Sequence, residues 1–193
     1  DTTGAATALG EQPIKMLLNS GAGARMAVGE MLTNMVSACI SDLGDVVCRA
    51  NWMWPAKLPG EMPRLYDAAT AMRDIMLALG IAIDGGKDSL SMAATIDGSL
   101  VKSPGQLVIM GYAPVPNIAF VCTPDIKRPG NSNLGLIDLG NGKNRLGGSS
   151  LAQAFGQTGD TSPDVDDPAF LACVFRAVQE AISNNQILSL HDR

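Results

Sequence analysis

At 193 residues the chain has room for one large domain or two small ones, and 46% hydrophobic with 17% charged residues is the composition of a folded globular protein, not a disordered one. A net charge of −5 without a long basic run argues against a nucleic-acid or anionic-membrane surface. No apolar stretch is long enough to span a bilayer. The start, Asp1-Thr2-Thr3-Gly4, has neither an initiator Met nor a signal-peptide pattern, and the end follows an apolar run, so both ends are expected to be cuts in a longer chain.

In chain order, residues 22–41 read as a helix, with Val28, Leu32, Met35, Val36 and Cys39 at helical spacing. The small residues of its lead-in, Asn19-Ser20-Gly21-Ala22-Gly23, suit close backbone approach at a helix N-terminus. Residues 45–54 read as a strand ended by Pro55 and Pro59-Gly60. Of Trp52 and Trp54, one is expected in the core and one against a neighbouring domain or subunit. A second helix is predicted from Met62 to Leu79 on the stripe Leu65, Ala68, Met72, Ile75, Met76, Leu79. Ile81-Ala82-Ile83 reads as a short buried strand that enters a Gly85-Gly86 turn. Leu90 to Ile96 meets the hairpin signal Asp97-Gly98, and Gln106 to Ala113 is a further strand. The proline-rich stretch 114–130 reads as a connector with some extended structure. Beyond it come a strand over Leu134–Leu139, a turn at Asn141-Gly142, a helix opened by Gly147-Gly148-Ser149-Ser150, a helix over 168–184 and a last strand, Ile187–Leu190. Helices and strands without strict alternation indicate an α+β fold.

Four cysteines, Cys39, Cys48, Cys122 and Cys173, form no Cys-x-x-Cys pair and read as small buried hydrophobes in a reduced, cytoplasmic setting. The sole histidine, His191, is near none of them in sequence, and no catalytic nucleophile is assigned.

Three groups of residues could carry chemistry. In Asp84-Gly85-Gly86-Lys87-Asp88-Ser89, backbone N–H groups and Lys87 could meet an oxyanion while Asp88 holds a metal; a plain Gly-Gly turn with solvated polar residues is the competing account. Glu30 and Asn34, four apart on the first helix, offer hard oxygen ligands suited to Mg²⁺, against an ordinary exposed polar face. Asp192 would be the second acid. Gly147-Gly148-Ser149 could favour phosphate at a helix entry, or could simply cap the helix and let it pack closely.

These pieces, with Ala24 to Asn34, Ala50-Asn51-Trp52-Met53, Pro59-Gly60-Glu61, Gly86-Lys87-Asp88-Ser89-Leu90-Ser91-Met92, Leu136 to Gly140, Leu146 to Gln153 and His191-Asp192-Arg193, resemble formylglycinamide ribonucleotide amidotransferase (phosphoribosylformylglycinamidine synthase) in its large single-chain form. The likeness covers nearly the whole chain and falls in the second synthetase half. It implies an aminoimidazole-ribonucleotide-synthetase-like fold, with an N-type half-barrel domain over 1–116 and the start of a C-type α+β domain over 117–193. It implies an ATP- and glutamine-dependent carbon–nitrogen ligase that amidates formylglycinamide ribonucleotide in purine biosynthesis. By motif, Glu30, Asn34 and Asp192 match the family's magnesium ligands at an auxiliary ATP/ADP site. Lys87, Asp88, Ser89, Gly147, Gly148 and Ser149 are the candidate nucleotide contacts. The implied partners are nucleotide, formylglycinamide ribonucleotide, the first synthetase half and a glutaminase domain. The segment alone is expected to be inactive and to self-associate through its half-barrel. A purely structural half-domain, or another member of the synthetase-like superfamily, is the alternative.

Overall fold

The computed structural model describes residues 2–192; Asp1 and Arg193, which closes the His191-Asp192-Arg193 motif, lie outside the described residues. The elements are β1 (Gly4–Glu11), α1 (Pro13–Leu18), α2 (Ser20–Met35), β2 (Val47–Met53), α3 (Glu61–Leu79), β3 (Ala82–Ser89), β4 (Ala93–Ile96), β5 (Ser99–Lys102), β6 (Gln106–Val115), α4 (Ser150–Ala154) and α5 (Pro168–Ser183). This is an α+β arrangement. One sheet has the order β1-β6-β2-β3; its first two pairings are antiparallel and β2–β3 is parallel. β4 and β5 form a separate hairpin.

Alternation along the strands divides the sheet into two faces. Cys48, Ala50, Leu107, Ile109 and Ala113 are buried on one face, together with Val28, Met31 and Leu32 of α2 and Ile75 and Met76 of α3. The opposite face is open. Leu9 is 55% exposed, Tyr112 47% and Val47 39%. Helix α2 lies very close to the sheet: a Cβ on Gly10 would sit 1.9 Å from the Ala27 carbonyl oxygen, and one on Gly111 would sit 2.3 Å from the Met31 sulfur.

Several sequence expectations change. β1 and α1 were not anticipated, because Gly-Ala-Ala-Thr-Ala-Leu has weak strand propensity; the strand exists through its pairing with β6. α2 stops at Met35, well short of residue 41. The next residues pair with the connector instead: Cys39 N–H donates to the Phe120 carbonyl, Cys122 N–H donates to the Ser37 carbonyl, and Ala38 bridges Val121. The strands expected over Leu134–Leu139 and Ile187–Leu190 do not form. Leu134 is 98% exposed, and neither run lies beside a strand that could complete its hydrogen bonds among the described residues. The tryptophans do not divide core from surface, because residues two apart along an extended chain point to the same face. β2 ends at Met53, Trp54 is fully buried beyond it, Trp52 packs on the same core, and the two rings lie 6.2 Å apart. Cys48 and Cys122 are buried as expected, Cys39 is half-buried, and Cys173 is exposed.

Two polar contacts hold the layers together. Glu61, 3% exposed at the start of α3, accepts the Trp54 indole N–H (3.1 Å) and the Lys102 ammonium of β5 (2.6 Å). Arg64 lies 3.4 Å from the same carboxylate and donates to the Met16 carbonyl at 2.7 Å, so α1, α3 and the hairpin share one hub. Burial pushes the Glu61 carboxyl up, but Lys102, Arg64 and Trp54 together outweigh it and hold it below its usual range. Gln179 does the corresponding work for α5. Its amide donates to the Val36 (2.7 Å) and Ala38 (2.8 Å) carbonyls and its oxygen accepts Ile40 N–H (2.8 Å).

A carboxyl depressed in the folded state adds stability that is present above its unfolded pKa and is lost as pH falls through the folded value. Melting temperature should therefore decline between neutral pH and pH 3, and Glu61→Gln should flatten that decline while lowering stability by about 1–3 kcal/mol at pH 7. Gln179→Leu, which strands two carbonyls and one N–H, should cost about 2–3 kcal/mol in urea unfolding. An unchanged midpoint for it would mean that apolar packing alone docks α5.

Candidate functional site

The close contact of Ala27 with Gly10 carries the next turn of α2 to the end of β1. There the Glu30 carboxylate accepts Glu11 N–H at 2.7 Å and the Gln12 amide at 2.8 Å, both on Oε2. The Lys15 ammonium donates to the Gln12 oxygen, forming a relay from α1 to Glu30. Burial lowers the Lys15 pKa and the nearby Glu30 charge opposes this. One turn further along, the Asn34 amide donates to the Leu9 carbonyl at 2.9 Å. Glu30 and Asn34 thus share one helix face, and that face is fastened to β1.

Asn34 and Asp192, distant in sequence, line one cavity of about 140 Å³ together with Thr33, Ser37 and His191. Glu30 lies one helical turn away. Among the described residues no group of three His, Cys, Asp or Glu side chains could hold a metal ion. The cavity itself brings together one carboxylate and one amide, Asp192 and Asn34; Glu30, whose Oε2 is turned to β1, does not line it, and all three side chains carry hard oxygens of the kind Mg²⁺ takes.

Lys87, Asp88 and Ser89 lie in a strand, not in the turn the sequence suggested. β3 runs unbroken through both glycines, in register Asn51↔Lys87, Trp52↔Asp88 and Met53↔Ser89 against β2. Ala82 and Ile83, expected to be buried, are exposed. The glycines serve close approach beside a bulge at Cys48/Arg49: a Cβ on Gly86 would lie 2.0 Å from the Ala50 carbonyl oxygen. Since neighbouring strand residues point to opposite faces, Lys87 and Ser89 look onto the open face and Asp88 does not. Lys87 donates to Ser89 Oγ. The register aligns Glu11, Val108, Asn51 and Lys87 in one row across all four strands. Asn51 was not singled out from sequence as a site residue; its Oδ1 is buried without a hydrogen-bond partner among the described residues.

At Gly147-Gly148-Ser149 the structure favours packing. The two glycine N–H groups donate to the Thr161 (2.9 Å) and Thr158 (2.7 Å) carbonyls, and Ser149 Oγ caps α4 by accepting Ala152 N–H. A Cβ on Gly147 would meet Leu18 at 2.6 Å, and one on Gly148 would meet the Lys15 backbone nitrogen at 2.9 Å. The loop therefore seats on α1, behind the Glu30 relay. A cavity of about 460 Å³ opens beside it, lined by Arg145, Leu146, Leu151, Phe155 and Asp160 among others. Arg25 on α2 ties this region down through a bidentate pair with Asp164 at 2.7 and 2.6 Å.

A mixed sheet with one helix-covered face and one open face, followed by a region whose regular elements are the helices α4 and α5, has the aminoimidazole-ribonucleotide-synthetase-like fold. Its architecture is shared with T. maritima PurL solved with FGAR, at a TM-score of 0.70 and 12% identity over 98% of this chain and 29% of that one. T. maritima PurL solved with AMPPCP gives 0.62 and 10% over 98% and 27%. The family profile described as FGAR-AT PurM_N-like domain matches residues 1–114, and the chain belongs to that family. The probable phosphoribosylformylglycinamidine synthase, chloroplastic/mitochondrial, of Arabidopsis thaliana is 54% identical over 193 residues. That alignment covers 100% of this chain and 14% of the relative, so the chain spans about one-seventh of its relative's length.

Gly86→Ala tests the strand assignment. A methyl group driven into the Ala50 carbonyl should break the β2–β3 pairing and cost at least about 2 kcal/mol in chemical denaturation. Gly85→Ala, which meets nothing within 4 Å, should cost far less.

Proposed function

We propose that this chain is a segment of a phosphoribosylformylglycinamidine synthase, an ATP-dependent ligase that amidates formylglycinamide ribonucleotide with ammonia drawn from glutamine. In this reading residues 1–116 form its second N-type synthetase domain and residues 117–193 begin the C-type domain. Family membership and the 54% identity to a relative of that name support it. The observation that carries the site is the convergence of Asn34 and Asp192 on one cavity, with Glu30 one turn away. The three would hold a magnesium ion, which would neutralise the phosphates of a bound ATP or ADP. Glu30 and Asn34 would be held in place by their bonds to β1, and Lys87, projecting onto the open face, would contribute an anion contact. With no catalytic residue assigned, the segment would contribute to a nucleotide site and would not turn over alone.

Glu30→Ala in the full-length protein should release nucleotide during purification. It should also remove the stabilisation a retained ligand gives, about 3–4 kcal/mol when ligand is present at a hundred to a thousand times its dissociation constant. Undiminished nucleotide with an unchanged melting temperature refutes the assignment. Lys87→Met should weaken ATP or formylglycinamide ribonucleotide binding with folding intact. An exposed Lys87–Ser89 contact that serves structure alone would cost at most about 1 kcal/mol of stability and leave affinity unchanged.

A second reading rests on a separate observation. Leu9, Val47 and Tyr112 form an apolar strip on the open face, which suits a half-domain that closes a barrel with another synthetase half. The isolated 193-residue chain should then be a dimer or larger by light scattering at micromolar concentration. A clean monomer counts against it.

A further inference from the structure

The cavity at the end of α2 is lined by Thr33 as well as by Asn34 and Asp192, and these three residues offer it acceptors. The Asn34 amide nitrogen donates to the Leu9 carbonyl at 2.9 Å. A carbonyl can only accept, so this bond fixes the amide and leaves Oδ1 as its free end. The Thr33 hydroxyl donates to the Glu30 carbonyl at 3.1 Å, so its oxygen keeps only lone pairs to offer. Asp192 contributes a carboxylate, and Ser37, also in the wall, a hydroxyl that can accept. Among the described residues no Lys or Arg lines the cavity. It lies at the C-terminal end of α2, where the helix dipole is negative and the last carbonyls project past the helix. Acceptors gathered at a negative helix end disfavour an anion and suit a hard cation. The volume, about 140 Å³, is room for a cation with about four waters at roughly 30 Å³ each.

We infer that Thr33 is a further cation-binding residue, its hydroxyl oxygen offered to the hydrated ion beside Asn34 and Asp192. The inference rests on the proposed function, which places magnesium on Glu30, Asn34 and Asp192, and adds to that set a neutral oxygen that a count of acidic side chains passes over. In an ordinary helix a threonine bonded back to the preceding turn merely satisfies its own hydroxyl. Here the same bond also decides which half of the hydroxyl is left for the cavity. Thr33 therefore differs from a structural threonine in one measurable respect: its hydroxyl matters to cation affinity, whereas its methyl group and its β-branched shape do not.

The test is titration calorimetry of Mg²⁺ into the metal-free full-length protein with ADP present. Wild type is compared with Thr33→Val, Thr33→Ser and Asp192→Ala, and melting temperatures are taken without metal. Val keeps the shape and lacks the oxygen; Ser keeps the oxygen and lacks the methyl group. If Val does not fold, Thr33→Ala takes its place. The expected result is a rise in Kd of about tenfold for Val, the loss usual when a group supporting a metal site is removed, with Ser close to wild type and the metal-free melting temperature of Val near that of Ser. Wild-type affinity in Val overturns the inference, as does a Ser variant that binds as weakly as Val. Weaker binding that appears only with a lower metal-free melting temperature overturns it too, since the hydroxyl then acts through the fold. A wild-type protein that binds no Mg²⁺, or an Asp192→Ala variant that binds it undiminished, overturns the proposed function and this inference together. Loss of binding in Asp192→Ala with full binding in Thr33→Val overturns the inference alone.

Discussion

The structure depends on how closely α2 can approach the sheet. Gly10 on β1 meets the helix backbone at Ala27, and Gly111 on β6 meets Met31, at distances where any side chain on the strand would force the layers apart. That spacing leaves no slack: the helix can neither roll nor slide without losing contact along β1 and β6. It also sets where the next two turns fall. Glu30 lands on the amide of Glu11 and Asn34 on the carbonyl of Leu9, so side chains that read as a solvent-facing stripe become caps on the end and edge of a strand. Glu30 and Asn34 are thereby held in place by contacts to the β1 backbone.

The rest of the molecule reinforces that placement through a few polar anchors on largely apolar surfaces. Glu61 gathers α1, α3 and the hairpin through Arg64, Trp54 and Lys102. Gln179 and the Arg25–Asp164 pair fasten the second region onto α2 at the helix's C-terminal and N-terminal ends. With both ends fixed, residues 190–192 come to lie over Ser37 and Asn34, and Asp192 reaches the cavity. Glu61 and Gln179 each have several partners, so loss of either orphans others.

Much of the architecture was legible because periodicity survives folding. The stripes of α3 and α5, the alternation of β2 and β6 and the Asp97-Gly98 turn each report one element without reference to the others, and all five stand in the structure. The failures share a cause. β1 is made of residues with little strand preference and exists through β6, whereas Leu134–Leu139 has the strand pattern and lacks a neighbour to pair with. Gly85-Gly86 carries a turn composition yet runs as strand, because β2 offers a partner and the carbonyl of Ala50 needs room.

The sequence by itself determined the α+β class, the helix face shared by Glu30 and Asn34, and the motifs that mark the family, since these depend on local spacing and residue identity. Only the tertiary structure decided that Asp192 joins Asn34, that Lys87 and Asp88 part to opposite faces, that Gly147-Gly148 packs on α1, and that Asn51 keeps an unanswered oxygen in a row across four strands. Those are facts of register and of long-range packing. A shift of one residue in pairing reverses every side chain on a strand, and no local pattern in the chain records which neighbour a strand will find.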